Sequence, residues 1–236
     1  MVGQKTCSLS PNQDNESRQN PDDSTLTTPL LNPLKLMAYS DFTLEQAIEQ
    51  FELTVETRTF QLQPVDSTPE LDDALKRYLP LATSISTEKA RNELIVTPIL
   101  LAVRSHFHDH VGYFSGRSLT VDSSVGLNGE CDFLLSANPD QTVIQAPLLV
   151  VVEAKNADLT RALGQCTAQM VGAQRFNARK GQTHSIYGAV TTGTNWKLLT
   201  LEQQQLHVSL DEYLVPPQLT SVLGFLCEPF QGLLTA

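Results

Sequence analysis

The sequence predicts an α/β protein with a mixed central sheet flanked by helices. Three observations carry this expectation. Pro147-Leu148-Leu149-Val150-Val151-Val152 is continuously apolar, which suits a strand buried on both faces. Upstream of Val103 the apolar residues recur near the helical period, whereas over residues 114–121 the period falls to two. Residues 159–178 then return to the helical period, with Leu163, Cys166, Met170, Ala173 and Phe176 on the apolar positions. The resulting order is helix, three strands, helix, then strands, which fits a mixed sheet better than a simple βαβα alternation.

Each element has a local reason. Residues 1–36 are rich in Gln, Asn, Ser, Thr, Asp and Pro, and read as a disordered tail that cannot offset its ordering entropy. Residues 37–236 read as one domain: a helical or irregular extension over 37–82, a core over 83–209 and a C-terminal extension over 210–236. Phe42, Leu44, Ala47, Ile48 and Phe51 recur at helical spacing behind Ser40 and Asp41, which can cap. A short strand is expected over 55–62, a loop over 64–69 and a helix over 70–78. Ser86 or Thr87 can cap a longer helix through Ala90, Leu94, Ile95, Ile99, Leu100 and Val103, with Pro98 expected to bend it. Strands follow over 114–121 and 131–135, separated by a turn at 126–129, and later over 185–192 and 196–201, separated by a turn at 193–195.

Composition narrows the functional classes. Lys and Arg number 16 against 26 Asp and Glu, for a formal charge of −10. No apolar run approaches the roughly 20 residues of a membrane helix, and Met1 to Leu9 lack the pattern of a secretory signal. The four cysteines show neither CxxC nor zinc-finger spacing, so free thiols in a reducing cytoplasm are expected. Charge is uneven along the chain: residues 41–93 hold eleven acids and five bases, while 159–201 hold Arg161, Arg175, Arg179, Lys180 and Lys197 and no acid. A basic segment in an acidic protein is what a polyanion-facing side would look like, and a solvated helix face is the plainer alternative.

The chemistry is concentrated in Val152-Glu153-Ala154-Lys155. Residues two apart on a strand share a face, so a carboxylate and an ammonium leave the end of a buried strand side by side. Upstream, Asp132 falls within a predicted strand, flanked by Phe133, Leu134 and Leu135. Two carboxylates on neighbouring strands with a peptide carbonyl make a hard oxygen site suited to Mg²⁺ or Mn²⁺. Lys155 could then orient a water and stabilise charge developing on a phosphate. The plainer alternatives are a surface ion pair at a strand end and a turn-proximal acid.

These residues resemble the PD-(D/E)XK nuclease superfamily, restriction-endonuclease-like proteins with an αβββαβ core. Asp132 matches its first acid and Glu153-Ala154-Lys155 its (D/E)XK tripeptide. The segment Thr87-Glu88-Lys89-Ala90 through Pro98-Ile99-Leu100 is similar to the first helix in the nuclease domain of type I restriction enzyme motor subunits. By that resemblance Glu88 is the helix acid that helps to hold metal or water. Glu93 is the second choice, about 140° away around a regular helix. Several branches of the superfamily carry a Gln on the helix after the sheet. Gln165 and Gln169, four apart on one face, match it, although the aromatic that usually follows is absent. Residues 186–196 resemble the strand-turn-strand that closes the sheet in several of these domains.

The resemblance implies a Mg²⁺- or Mn²⁺-dependent phosphodiesterase acting on nucleic acid, with DNA the first expectation, in the cytoplasm. Asp132 and Glu153 would hold metal, with Glu88 contributing. Lys155 would position the nucleophile, and Gln165 or Gln169 would orient Lys155 or the phosphate. Arg161, Arg175, Arg179 and Lys180 are candidate contacts to the phosphate backbone. A second copy of the chain, paired across a sheet edge, is an expected partner. Two competitors remain: a nuclease fold that binds nucleic acid or protein without cutting, and a nucleotide hydrolase, which lacks support from any GxxxxGK[ST] loop. His106, His108 and His110 read as a solvated helix end rather than a metal set, and Trp196 as a core residue rather than a base-stacking platform.

Overall fold

A computed structural model describes residues 37–155 and 159–234, the last two by backbone alone. The expected tail, residues 1–36, lies outside the described residues. Lys35–Ala236 forms one compact unit. In chain order its elements are α1 (Leu44–Gln50), β1 (Thr54–Arg58), α2 (Pro69–Ile85), α3 (Glu88–Arg91), a π-turn (Asn92–Val96), α4 (Thr97–His106), β2 (Gly112–Ser118), β3 (Glu130–Ser136), β4 (Leu148–Ala154), α5 (Leu159–Ala178), β5 (Ile186–Thr191), β6 (Asn195–Glu202), β7 (Gln205–Ser209), β8 (Tyr213–Leu214) and α6 (Leu219–Cys227).

The strands form one mixed sheet in the order β1-β7-β6-β5-β4-β3-β2, with β8 paired to β6. The β4–β5 and β1–β7 pairs are parallel and the others antiparallel. β4 is buried along its whole length, as its unbroken apolar run requires. Val150, Val152 and Ala154 join a core with α2, α4 and α6, while Leu148 and Val151 join a second core with α1 and α5. The sheet thus lies between two helical layers, the α/β arrangement read from the sequence. Among the described residues no helix is long and apolar enough to cross a membrane.

Several elements differ from expectation, each for a physical reason. α2 continues past Tyr78 to Ile85 with Pro80 inside it. Pro98, expected to bend the helix, is instead preceded by the π-turn at Asn92–Val96. Proline lacks the N–H that a regular helix would donate to Leu94 and crowds that carbonyl. The ladder widens there, and the Thr97 N–H donates to the Asn92 carbonyl. The two segments read as extensions are integral: β1 joins the sheet through β7, α1 packs on α5, and α6 is buried in the first core. His106, His108 and His110 are exposed around the turn that ends α4. Trp196 is fully buried, with its indole N–H donating to the Gly193 carbonyl at 2.9 Å.

Candidate active site

The site forms where β3 and β4 part. Their ladder runs from the β-bulge at Leu135/Ser136 to the pair Phe133–Val152 and stops. At the next position the Asp132 carboxylate replaces the strand, and its Oδ2 accepts the Ala154 N–H at 2.8 Å. On the other side of β4 the parallel ladder continues, with the Lys155 N–H donating to the Thr191 carbonyl at 2.8 Å. The backbone of the tripeptide is therefore held from both neighbouring strands.

Side-chain alternation then sorts the charges. Val152 and Ala154 face the core under α2 and α4, so Glu153 turns toward α5 and is fully buried. Its Oε1 lies 2.5 Å from the Lys155 Nζ, and its Oε2 accepts from the Gln169 Nε2 at 2.9 Å. The same Gln169 amide reaches the Glu130 carbonyl at 3.4 Å. The Lys155 Nζ also stands 3.9 Å from the Asp132 Oδ2. Asp132, Glu153, Lys155 and Gln169 thus meet in one cluster, as the sequence predicts. Gln165, one turn before Gln169 on α5, is half-buried and makes no hydrogen bond to the charged trio.

The electrostatics follow from two carboxyl groups sharing one ammonium. Burial, reinforced by the nearby Asp132, pushes the Glu153 carboxyl up to about 8 against the opposing pull of Lys155 and Gln169. For Lys155, partial burial disfavours the charge, but Glu153, Asp132 and Glu88 together outweigh it and raise its pKa. Glu153 is therefore a carboxyl that holds its proton well above the usual carboxylate range, beside a Lys155 ammonium that its acidic neighbours keep charged.

Asp132 opens onto a cleft of about 380 Å³ between β2, β3 and the helix that carries Glu88. Glu88, Asn92, Glu93, Thr97, Ser115 and Glu130 also line it. Thr87 caps α3, its Oγ1 accepting the Ala90 N–H at 3.2 Å, which places Glu88 in the first turn facing the cleft. Glu88 is half-buried, while Glu93 is exposed and within 3.8 Å of the Lys89 ammonium. Glu88 is accordingly the better placed of the two acids. Sequence reasoning missed Asn92, whose side-chain Oδ1 is buried without a partner at the cleft wall. The π-turn that presents it has no signal beyond Pro98.

Asp132 and Glu153 fit a hard divalent cation. They are two oxygen donors with a deficit of positive charge, and the Lys155 ammonium now supplies the counter-charge between them. Among the described residues, no group of three or more His, Cys, Asp or Glu side chains forms a ready ligand set.

The basic residues do not converge on this cleft. Asn177, near the end of α5, binds the Leu148 backbone in both directions, at 2.8 and 2.7 Å. This fixes the C-terminal end of α5 over the start of β4, about 16 Å along the strand from Glu153. Arg175 lies over the Phe51 ring at 5.3 Å and Arg179 donates to the Val121 carbonyl at 2.6 Å. Lys180 follows beyond that helix end and is exposed. Of the four expected phosphate contacts, only Arg161, in the first turn of α5, lies at the site's end of the sheet. Comparison of the chain with protein-family models and with curated proteins gives no match.

Proposed function

We propose that the chain is a metal-dependent nuclease of the PD-(D/E)XK type, hydrolysing phosphodiester bonds in DNA or RNA. The observation that carries this reading is the meeting of Asp132, Glu153 and Lys155 at the point where β3 and β4 separate, with the ammonium 2.5 and 3.9 Å from the two carboxylates. The order of elements supports it: a helix, three antiparallel strands β2-β3-β4, the helix α5 and the parallel strand β5 follow the expected αβββαβ core. Asp132 and Glu153 would hold Mg²⁺ or Mn²⁺, with Glu88 at the cleft wall. The bound ion would supply Lewis acidity at the phosphoryl group and lower the pKa of a water. Lys155 would orient a water nucleophile and meet charge developing on phosphate. Gln169 holds Glu153 from behind and so fixes the face that Glu153 presents.

A second reading, a nuclease fold that binds a partner without cutting, draws on one observation. The cleft is rimmed by Glu88, Glu93 and Glu130, and Lys89 is the lone cation among its lining residues. A phosphate backbone needs more positive charge than that rim offers.

The test is titration calorimetry of Mg²⁺ and Mn²⁺ with the wild type and Asp132→Ala, with plasmid and oligonucleotide cleavage measured on the same samples. A nuclease binds the ion, loses binding in the variant, and cuts only with metal. Absence of both metal binding and cutting in the wild type refutes the assignment. Capture of a protein partner, with no cutting of nucleic acid in either ion, selects the second reading, and salt-sensitive retention of nucleic acid would overturn the charge argument behind it.

A further inference from the structure

The sheet ends on two unlike edges, β2 at one end of the strand order and β1 at the other. The β2 edge is protected. The Tyr113 N–H donates to the Gln141 Oε1 at 3.0 Å, and Gly116, in the left-handed region at φ 60°, breaks the run of the strand. β1 has neither device. Its five residues, Thr54-Val55-Glu56-Thr57-Arg58, are all exposed and pair with β7 without a bulge. The Thr54 N–H donates to the Gln204 carbonyl at 2.8 Å, and the Leu210 N–H donates to the Arg58 carbonyl at 2.8 Å. Backbone groups alternate in direction along a strand, so Thr54, Glu56 and Arg58 bond inward to β7. The N–H and C=O of Val55 and Thr57 point outward, with no partner among the described residues.

The side chains on this edge are complementary to themselves. Thr54, Glu56 and Arg58 share one face of the sheet, and Val55 and Thr57 the other. Glu56 lies 3.1 Å from the His207 Nδ1, and its side chain is still 54% exposed. Arg58 lies over the Phe60 ring at 5.6 Å and has no carboxylate partner among the described ion pairs. An acid and a base two apart on one face match the same pair read in the opposite direction. An antiparallel β1 related by a two-fold axis at Thr57 sets Glu56 opposite Arg58 of the second copy, and Arg58 opposite Glu56 of the second copy. Both are positions outside the hydrogen-bonded pairs, where side chains approach most closely. Thr57 then faces Thr57 of the second copy, and each donates its outward N–H to the other's carbonyl. An axis one residue earlier would set Glu56 against Glu56, a repulsive pair, so charge selects the axis at Thr57.

We propose that β1 is a homodimerisation edge: a second copy of this chain adds its own β1 antiparallel, joining the two sheets through Glu56, Thr57 and Arg58. One short strand from each copy makes a small contact, so the dimer is weak, with a dissociation constant on the order of 10–100 µM. The inference is independent of the nuclease reading, because β7, β6 and β5 lie between β1 and the strands that carry the carboxylate site.

Sedimentation equilibrium of the full chain over about 1–500 µM tests it. The expected result for the wild type is a reversible monomer–dimer equilibrium. Thr57→Pro removes an outward N–H and spares the hydrogen bonds to β7, as proline on an edge strand can. It should weaken association about tenfold or more. Arg58→Glu should weaken it as far, because both cross-strand charge pairs become repulsive. Glu56→Arg combined with Arg58→Glu exchanges the charges and should restore association to within about threefold of the wild type. A wild type that stays monomeric at about 500 µM, full association in Thr57→Pro, or a double variant no tighter than Arg58→Glu alone would overturn the proposal. A urea midpoint on each variant separates lost association from lost folding.

Discussion

Replacing Glu153 by Gln should change how stability depends on pH, and the sign follows from its burial. The carboxyl's folded-state pKa is raised from its ordinary 4.5 to about 8. Between those values the folded chain holds a proton that the unfolded chain has released. Stability therefore falls as pH rises through this window, and the penalty is complete above the folded pKa. At about 1.4 kcal/mol per pH unit, the window sets a ceiling on the order of 4–5 kcal/mol, and adjustment by Lys155 lowers it. Glutamine keeps the shape and the contact with Gln169 but has no such proton. With a chelator present, denaturant midpoints of wild type and Glu153→Gln should be compared from pH 5 to pH 9. Other titrating groups largely cancel in the difference. The variant should gain on the wild type by a few kcal/mol across the window, and Mg²⁺ should close part of the gap for the wild type alone. A difference that stays flat with pH would mean that Glu153 is ionised throughout, and the account of the trio as short of positive charge would fail.

Other outcomes are as specific. Lys155→Ala should abolish cutting, by about 100-fold or more, yet bind Mg²⁺ at least as tightly as wild type in calorimetry, because the competing ammonium is gone; weaker ion binding would contradict its role as the resident counter-charge. Asn177→Ala leaves both polar groups of the Leu148 backbone unpaired in the core, and should cost about 2–4 kcal/mol in urea denaturation with metal binding intact in the folded protein. Gly164→Ala would place a Cβ 2.4 Å from the backbone of Phe42 and Thr43, so α1 must shift off α5 at a cost of about 1–3 kcal/mol, measured by the same assay. Trp196, the single tryptophan, should show emission characteristic of a buried indole that is unchanged by added oligonucleotide; quenching on addition would place it at a nucleic-acid surface instead.

The parts of the fold visible in the sequence are those whose environment is uniform along the segment. β4 reads directly because both its faces are buried, and α5 because its whole length packs on the sheet. Asp132 stands out because a carboxylate among Phe133, Leu134 and Leu135 needs a partner. What escaped depends on distant contacts or on broken rules. β1 pairs in parallel with β7, about 150 positions away in sequence, and nothing local announces such a partner. The sequence reading stops α2 at Tyr78, two residues short of Pro80, but the helix continues to Ile85 because Leu71, Leu75 and Ala82 keep a single face buried. Linear charge misled in another way. Arg161 and Arg179 both fall in an acid-free stretch, but α5 is about 30 Å long, and its two ends cannot serve one cleft.

The local conflict at β3 and β4 explains why the site lies where it does. A regular ladder would have satisfied the Ala154 N–H with a carbonyl, and an apolar side chain at position 153 would have completed the core around Cys166 and Met170. Instead the register ends at Phe133, Gly116 takes a left-handed φ of 60° opposite Asp132, and a side-chain carboxylate caps the strand. Each departure costs stability relative to a continued sheet. Together they leave two carboxylates and an ammonium where two strands open toward one cleft, a set of charges that folding alone does not need. Stability sacrificed around one cleft, with the β-bulge of β3, the left-handed Gly116 of β2 and the π-turn all beside it, is the pattern expected when a site's chemistry rather than packing dictates the residues.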